Sequence, residues 1–309
     1  MNQSPSLPLV SILIPTYNRP KWFEEALLSA ISQSYSNIEI IICDDSTTNE
    51  TEELVLSYSR THDHIQYHRN PSRLGQFEND LKLFELSNGV FINYLMDDDL
   101  FTPTKIEKMM HYFQSDENQQ LSLITSKRDV INEQGEKQPD IGATQSLFQA
   151  DTRIPGQAFA NFILGYGNGI GEPTTVLFRK SALTVPFGTF ANRRYHCDVD
   201  MATWLNLLLN GDIIYVAEPL SYFRIHSQQQ LHSPPMLIGG AADCLHRILS
   251  AYRSGLLQDQ EQRHQVAHHY LNYAQHILTQ LSHKKEQFPH HLEEIKTYTF
   301  YIKDELLNE

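Results

Sequence analysis

Short apolar runs of strand length alternate with helical stripes through residues 9–96, and this alternation restricts the fold more than any other feature of the chain. Leu9–Ile14 is a β-rich run. Pro20–Ser32 then carries Trp22, Phe23, Ala26, Leu27, Ala30 and Ile31 at helical spacing, and Ile38–Cys43 is a second β-rich run. The βαβ pattern repeats as a helix over Glu50–Arg60, a strand Ile65–His68, a helix Gln76–Ser87 striped by Phe77, Leu81 and Phe84, and a strand Val90–Met96. Strands joined through helices run parallel, and a parallel sheet is covered on both faces. The predicted fold class is therefore α/β: a mostly parallel central sheet flanked by helices. Ligands gather beyond the carboxyl ends of such strands, so residues just past each strand are the candidate site.

Further along, the pattern predicts a helix near Pro103–Gln114, a strand near Leu121–Thr125, and loops or a hairpin around Glu133-Gln134-Gly135 within the polar stretch Lys127–Asp151. A helix from Pro155 to about Leu164, a glycine-rich turn Gly165–Gly171, a strand Thr174–Phe178 and a helix near Val199–Leu209 follow, then paired strands Ile213–Val216 and Leu220–Ile225. Past Pro234-Pro235 only helical stripes remain: Leu245, Ile248, Leu249 and Tyr252, then Tyr270, Tyr273 and Ile277, then Ile295, Phe300 and Leu306. The expected division is a catalytic unit over residues 1–235 and a C-terminal helical appendage over 236–309.

Against 37 Asp plus Glu, 24 Lys plus Arg leave a net charge of −13, the wrong sign for a protein that holds nucleic acid by its phosphates. No run has the length of a membrane span, and the apolar Leu7–Ile14 lacks a basic flank and is interrupted by Pro8 and Pro15. Cys43, Cys197 and Cys244 are odd in number, far apart and form no CxxC, which reads as reduced thiols in a cytoplasmic protein. His264 and His268 share a helix face, yet their polar neighbours make that face a solvated one.

The strand ends are rich in chemistry. The first is followed by Pro15-Thr16-Tyr17-Asn18-Arg19, the second by Asp44-Asp45-Ser46-Thr47, the third by Arg69-Asn70-Pro71, and the strand Val90–Met96 by Asp97-Asp98-Asp99. Consecutive carboxylates repel unless a cation or solvent screens them, and oxygen ligands suit Mg²⁺ or Mn²⁺ bridging to a substrate's phosphates; a solvated acidic turn that caps the next helix is the alternative. The stretch Gly165–Gly171 fails the dinucleotide fingerprint, since Ile170 or Glu172 stands where the last glycine belongs, and no P-loop, GxSxG or HExxH occurs.

Four strings in order, VSILIPTYNR at Val10–Arg19, IEIIICDDST at Ile38–Thr47, YLMDDDLFTP at Tyr94–Pro103 and DMATWLNLLLNGDIIYVAEPLSYFRIH at Asp200–His226, make the chain resemble the family 2 glycosyltransferases of GT-A fold over about residues 7–230. The resemblance implies an inverting, metal-dependent transfer of a sugar from a nucleoside diphosphate donor, a UDP-sugar in the first instance, to a sugar, lipid-linked or small-molecule acceptor hydroxyl in cell-surface polysaccharide or glycoconjugate synthesis. It implies that Pro15 and Tyr17 line the base pocket and that Asp45 accepts a hydrogen bond from the base. Arg19, Asp97 and Asp99 would sit along the ribose, diphosphate and donor sugar. Asp98, with His226 of the closing YFRIH element, would hold Mg²⁺ or Mn²⁺, and Asp200 would be the catalytic base. Where many members carry a further upstream Asp, this chain has Met96, so Asp97 and Asp99 remain rivals to Asp98 for the metal.

Asp198 is the nearest rival to Asp200, and one of the two is expected to cap the following helix. Glu172, Pro173 and Thr174 fall where an acceptor loop is expected. The C-terminal helices would cover the acceptor cleft, form a homodimer or touch a membrane surface. A nucleotidyltransferase and an inactive carbohydrate-binding relative are the alternatives from other classes.

Overall fold

The computed structural model describes residues 7–227 and 233–308. The first part follows the pattern: β1 (Val10–Thr16), α1 (Pro20–Ile31), β2 (Ile38–Asp44), α2 (Glu50–Ser59), β3 (Ile65–Arg69), α3 (Gln76–Leu86) and β4 (Phe91–Tyr94). Next come β5 (Leu100–Phe101), α4 (Lys105–Gln114), β6 (Leu121–Ile131), β7 (Lys137–Gln138), β8 (Thr152–Ile154), α5 (Gly156–Tyr166), β9 (Leu177–Arg179), β10 (Thr189–Phe190) and β11 (Arg193–Arg194). The chain ends with α6 (Val199–Asn210), β12 (Asp212–Arg224), α7 (Pro234–Arg253), α8 (Gln260–Gln280) and α9 (Pro289–Tyr301).

The main sheet has the order β3-β2-β1-β4-β9-β6-β12-β5, with β7 on β6 and β8 on β12. β1 is parallel to β2 and β4, β2 to β3, and β6 to β12. β9 is antiparallel to both β4 and β6, so those two strands point the same way. All the βα crossover strands, together with β6 and β12, therefore finish on one rim.

Three expectations at the strands need correction. The strand expected over Thr174–Phe178 is a 3₁₀ turn at Pro173–Thr175 and a strand only over Leu177–Arg179. β6 continues to Ile131, so part of the presumed loop is strand. The predicted pair Ile213–Val216 and Leu220–Ile225 is one strand, β12, which runs beside β6 instead of folding back on itself. Glu218-Pro219 reads as a turn, but register slips between Val216 and Pro219 and between Pro219 and Ser221 absorb it as an irregularity. A proline that cannot donate to the ladder is accommodated at such a slip.

Side-chain alternation in β1 splits the core. Val10, Ile12 and Ile14 face Phe23, Leu27, Met109 and Phe113 on one side, while Leu13 joins Tyr94, Phe159, Ile163, Trp204 and Leu205 on the other. The C-terminal helices form as expected and share this second cluster: Leu245, Ile248, Val266, Ile277 and Ile295 are continuous with α5 and α6. In α7 every residue from Ile238 to Ala251 is buried, polar ones included. Phe300, placed on the apolar stripe from sequence, is 65% exposed. Phe300 lies five residues after the buried Ile295, about 140° round the helix from it, whereas Ile302, seven residues after Ile295, faces inward and is followed by the buried Leu306 and Leu307 in a π-helical turn over Ile302–Leu307.

Gly156 starts α5 against the end of α6. A Cβ there would lie 2.0 Å from the Gly211 carbonyl oxygen and 2.1 Å from that of Leu208, both backbone atoms. Gly156→Ala is expected to destabilise the fold by about 1–3 kcal/mol, the range for overpacking, as a lowered denaturation midpoint at unchanged m-value.

Candidate active site

The rim begins at β1. Leu13 accepts the Leu95 N–H on the β4 side, and the register with β4 ends at Leu13–Tyr94, so Pro15, still beside Cys43 of β2, leaves no ladder donor missing on the β4 side. Just beyond, the Thr16 hydroxyl and the Tyr17 N–H both donate to Asp97 Oδ2, at 2.9 and 3.2 Å. Asn18 turns the chain with φ +53° and ties it to the end of β2: its N–H donates to Ser46 Oγ, and its Oδ1 accepts the Thr47 N–H. The Tyr17 ring lies partly exposed under the Arg73 guanidinium, whose carbon is 4.1 Å from the ring centre.

Asp44 is fully buried and accepts from Ser46 N–H and the Tyr67 hydroxyl. Asp45 accepts from Asn70 Nδ2 at 2.7 Å, from the Leu74 N–H shared between both oxygens, and from the Gly75 N–H at 2.8 Å. It thereby fastens the segment that carries Arg73. Three donors on a carboxylate with about four acceptor positions leave room for one more.

The three consecutive aspartates have different environments. Asp97 is buried and takes Thr16, Tyr17 and Arg19; desolvation and the neighbouring Asp98 raise its pKa, against the pull of Arg19. Asp99 is 2% exposed, receives the Thr174 hydroxyl at 2.7 Å and the Arg224 N–H at 3.0 Å, and is held well above the usual carboxylate range by desolvation and by Asp98 and Glu172. That makes Asp99 a bracket between the end of β4, Thr174 and β12. Asp98 alone is partly open. Its Oδ2 meets Arg19 NH1 at 2.7 Å and His226 Nε2 at 2.8 Å. The buried His226 ring packs on Trp22, centroids 4.5 Å apart, and Trp22 is fixed by its indole N–H to the Glu133 carbonyl.

Asp200 stands in the first turn of α6, where its Oδ1 accepts the Met201 N–H at 2.8 Å and its Oδ2 the Asn168 amide at 2.7 Å. Burial pushes its pKa up to about 7, with Asp198 adding to the rise, Arg247 opposing it and Glu172 reinforcing it. Asp198 occupies the cap position but makes no cap bond. Its carboxylate pairs with Arg247 of α7. The expected cap is therefore not made; Asp200, from inside the first turn, takes the free Met201 N–H instead. Glu172 pairs with Arg128 at 2.9 Å, and the glycine-rich turn is pinned by the Trp204 indole N–H on the Gly171 carbonyl.

Sequence reasoning located Asp98 and His226, which the structure brings into contact across 128 residues. It missed Asn70's bond to Asp45, Arg73, Trp22 as a support for His226, Asn168 and the α7 residues. Of these only Asn70 carried a signal, by following the strand β3. The donor set Asp98 and His226 fits a divalent ion that completes its shell with phosphate oxygens and water, although among the described residues no three His, Cys, Asp or Glu side chains converge.

Residues 11–185 match Glycosyl transferase family 2. The chain belongs to that family. It is a glycosyltransferase, and it is similar to one from Rickettsia typhi, 36% identical over 235 residues covering 74% of this chain and 68% of the relative. Its fold is that of S. aureus TarS 1-349 in complex with UDP-GlcNAc, with TM-score 0.69 at 16% identity over 96% of this chain and 82% of that one. In a further S. aureus TarS structure, TM-score 0.60 at 18% identity, 85% of this chain covers 43% of the other.

Asp45→Asn replaces an acceptor oxygen with an amide facing N–H donors. Amide hydrogen exchange at Leu74 and Gly75 is expected to accelerate, reflecting a loss of about 1.5–3 kcal/mol of local stability.

Proposed function

We propose that the chain transfers a sugar from a UDP-linked donor to an acceptor hydroxyl with inversion at the anomeric carbon, in the synthesis of a surface polysaccharide or glycoconjugate. The observation that carries this reading is the meeting of Asp98 and His226 at 2.8 Å on the strand-end rim beside Arg19. The UDP-GlcNAc in the TarS structure of the same fold supports the choice of donor class.

In this reading the base packs against Tyr17 and Pro15, and Asp45 uses its remaining acceptor position on a base N–H. Asp97 and Arg19 border the ribose and diphosphate, while Asp99 keeps β4 and β12 in register at the donor sugar. Asp98 and His226 would hold Mg²⁺ or Mn²⁺, which neutralises charge on the departing diphosphate when bound. Asp200, bonded through one oxygen to Asn168 and through the other to Met201, keeps acceptor capacity for the proton of the attacking hydroxyl. A base with its pKa near 7 is ionised above that pH, so transfer is expected to fall as pH drops below about 7.

Two substitutions separate chemistry from binding. Asp200→Asn should lower transfer by a factor of about 10²–10⁴ while the affinity for UDP, measured by calorimetry with Mn²⁺, stays that of the parent. Asp98→Asn should abolish the Mn²⁺ dependence of UDP binding. Full activity in the first variant, or unchanged metal-dependent binding in the second, contradicts the assignments. A parent that neither transfers from nor hydrolyses UDP-sugars would instead be the inactive relative.

A further inference from the structure

Helix α7 sends two side chains, one helical turn apart, into the segment that leads to Asp200. Residues i and i+4 share a helix face, so Asp243 and Arg247 act side by side. Asp243 is fully buried and accepts the backbone N–H groups of His196 and Cys197, each at 2.8 Å, that of Asp198 at 3.4 Å, and Arg193 NH1 at 2.5 Å. Arg193 is in turn gripped by Glu294 of α9 at 3.0 Å. Arg247, 3% exposed, donates to the Asp198 carboxylate and lies over the Tyr270 ring of α8. Each of the three C-terminal helices therefore contributes to holding the residues just before α6.

These are costly contacts to bury. A carboxylate and a guanidinium withdrawn from water are tolerated only when hydrogen-bonded, and apolar pairs of the same size would serve stability as well or better. Their placement has a second consequence: Asp198 is two residues from Asp200, and Asp198, Arg247 and Glu172 are charged groups whose fields act on Asp200.

We propose that Asp243 and Arg247 are positioning residues for the catalytic base: Asp243 fixes the backbone that presents Asp200, and the Asp198–Arg247 pair sets the charge around it. The C-terminal helices are then part of the active site and not an accessory to it. The inference rests on the reading of Asp200 as the base. Asp198 disfavours the Asp200 anion and Arg247 favours it, so neutralising each one moves the ionisation in opposite directions.

The test is the pH dependence of kcat for UDP release from UDP-GlcNAc, recorded on the full chain with Mn²⁺ for Asp198→Asn, Arg247→Met and Arg247→Lys. The acidic limb is expected to move down by about one pH unit in Asp198→Asn and up by a similar amount in Arg247→Met, and to stay in place in Arg247→Lys, which keeps the charge. Unfolding alone reduces the amplitude without moving the limb. If Arg247→Met does not fold, Asp198→Asn decides by itself. A limb that stays put in the folded variants, or moves the same way in both, overturns the proposal. Asp200→Asn separates the two claims: retained turnover there defeats the base assignment, whereas its silence with unmoved limbs in the other variants defeats only the role of the pair.

Discussion

Asp98 and His226 can touch because β4 and β12, strands on either side of two intervening sheet members, run in the same direction and release their chains on the same rim. That shared direction is set by covalent connectivity and backbone pairing. Each crossover through a helix returns the next strand parallel, and the antiparallel β9 between β4 and β6 restores the direction it reverses. Six strand ends are thereby collected in one place. The site needs no long-range targeting of individual side chains beyond the register of the sheet.

Collecting acids in one place raises a stability problem, which the rim resolves locally. Asp45 and Asp97 are satisfied mainly by neighbouring backbone amides and by Asn70, Thr16 and Arg19; Asp99 is satisfied by Thr174 and the Arg224 amide. Each of these acids accepts hydrogen bonds from groups on separate segments, so it also fastens a loop. Asp98 keeps an open side, bonded only by residues that a ligand's charge can compete with. The division is between acids that fasten loops and one acid that stays accessible.

The strands of the parallel half, the helices between them and the acidic strand ends were legible because short-range periodicity and connectivity determine them. The strand β12 was not, since Glu218-Pro219 carries a turn's composition and only pairing with β6 shows that the chain continues. The exposure of Phe300 escaped for a different reason: five residues after Ile295, it falls on the opposite side of α9 from that buried residue. The candidates Asp98, Asp200 and His226 came from motif strings, whereas Asp243 and Arg247 lie on a helix outside those strings. Nothing in local sequence says that a buried acid on α7 will hold the backbone before α6. Such partners are fixed by tertiary packing alone.

Binding of the donor's nucleoside diphosphate at the carboxyl-end rim is tested most directly by hydrogen–deuterium exchange with and without UDP and Mn²⁺. New protection is expected at residues 16–19, 45–47, 70–75 and 97–99. Protection absent from those segments, or confined to the opposite edge of the sheet around Pro8, Val90, Phe113 and Arg179, would contradict it.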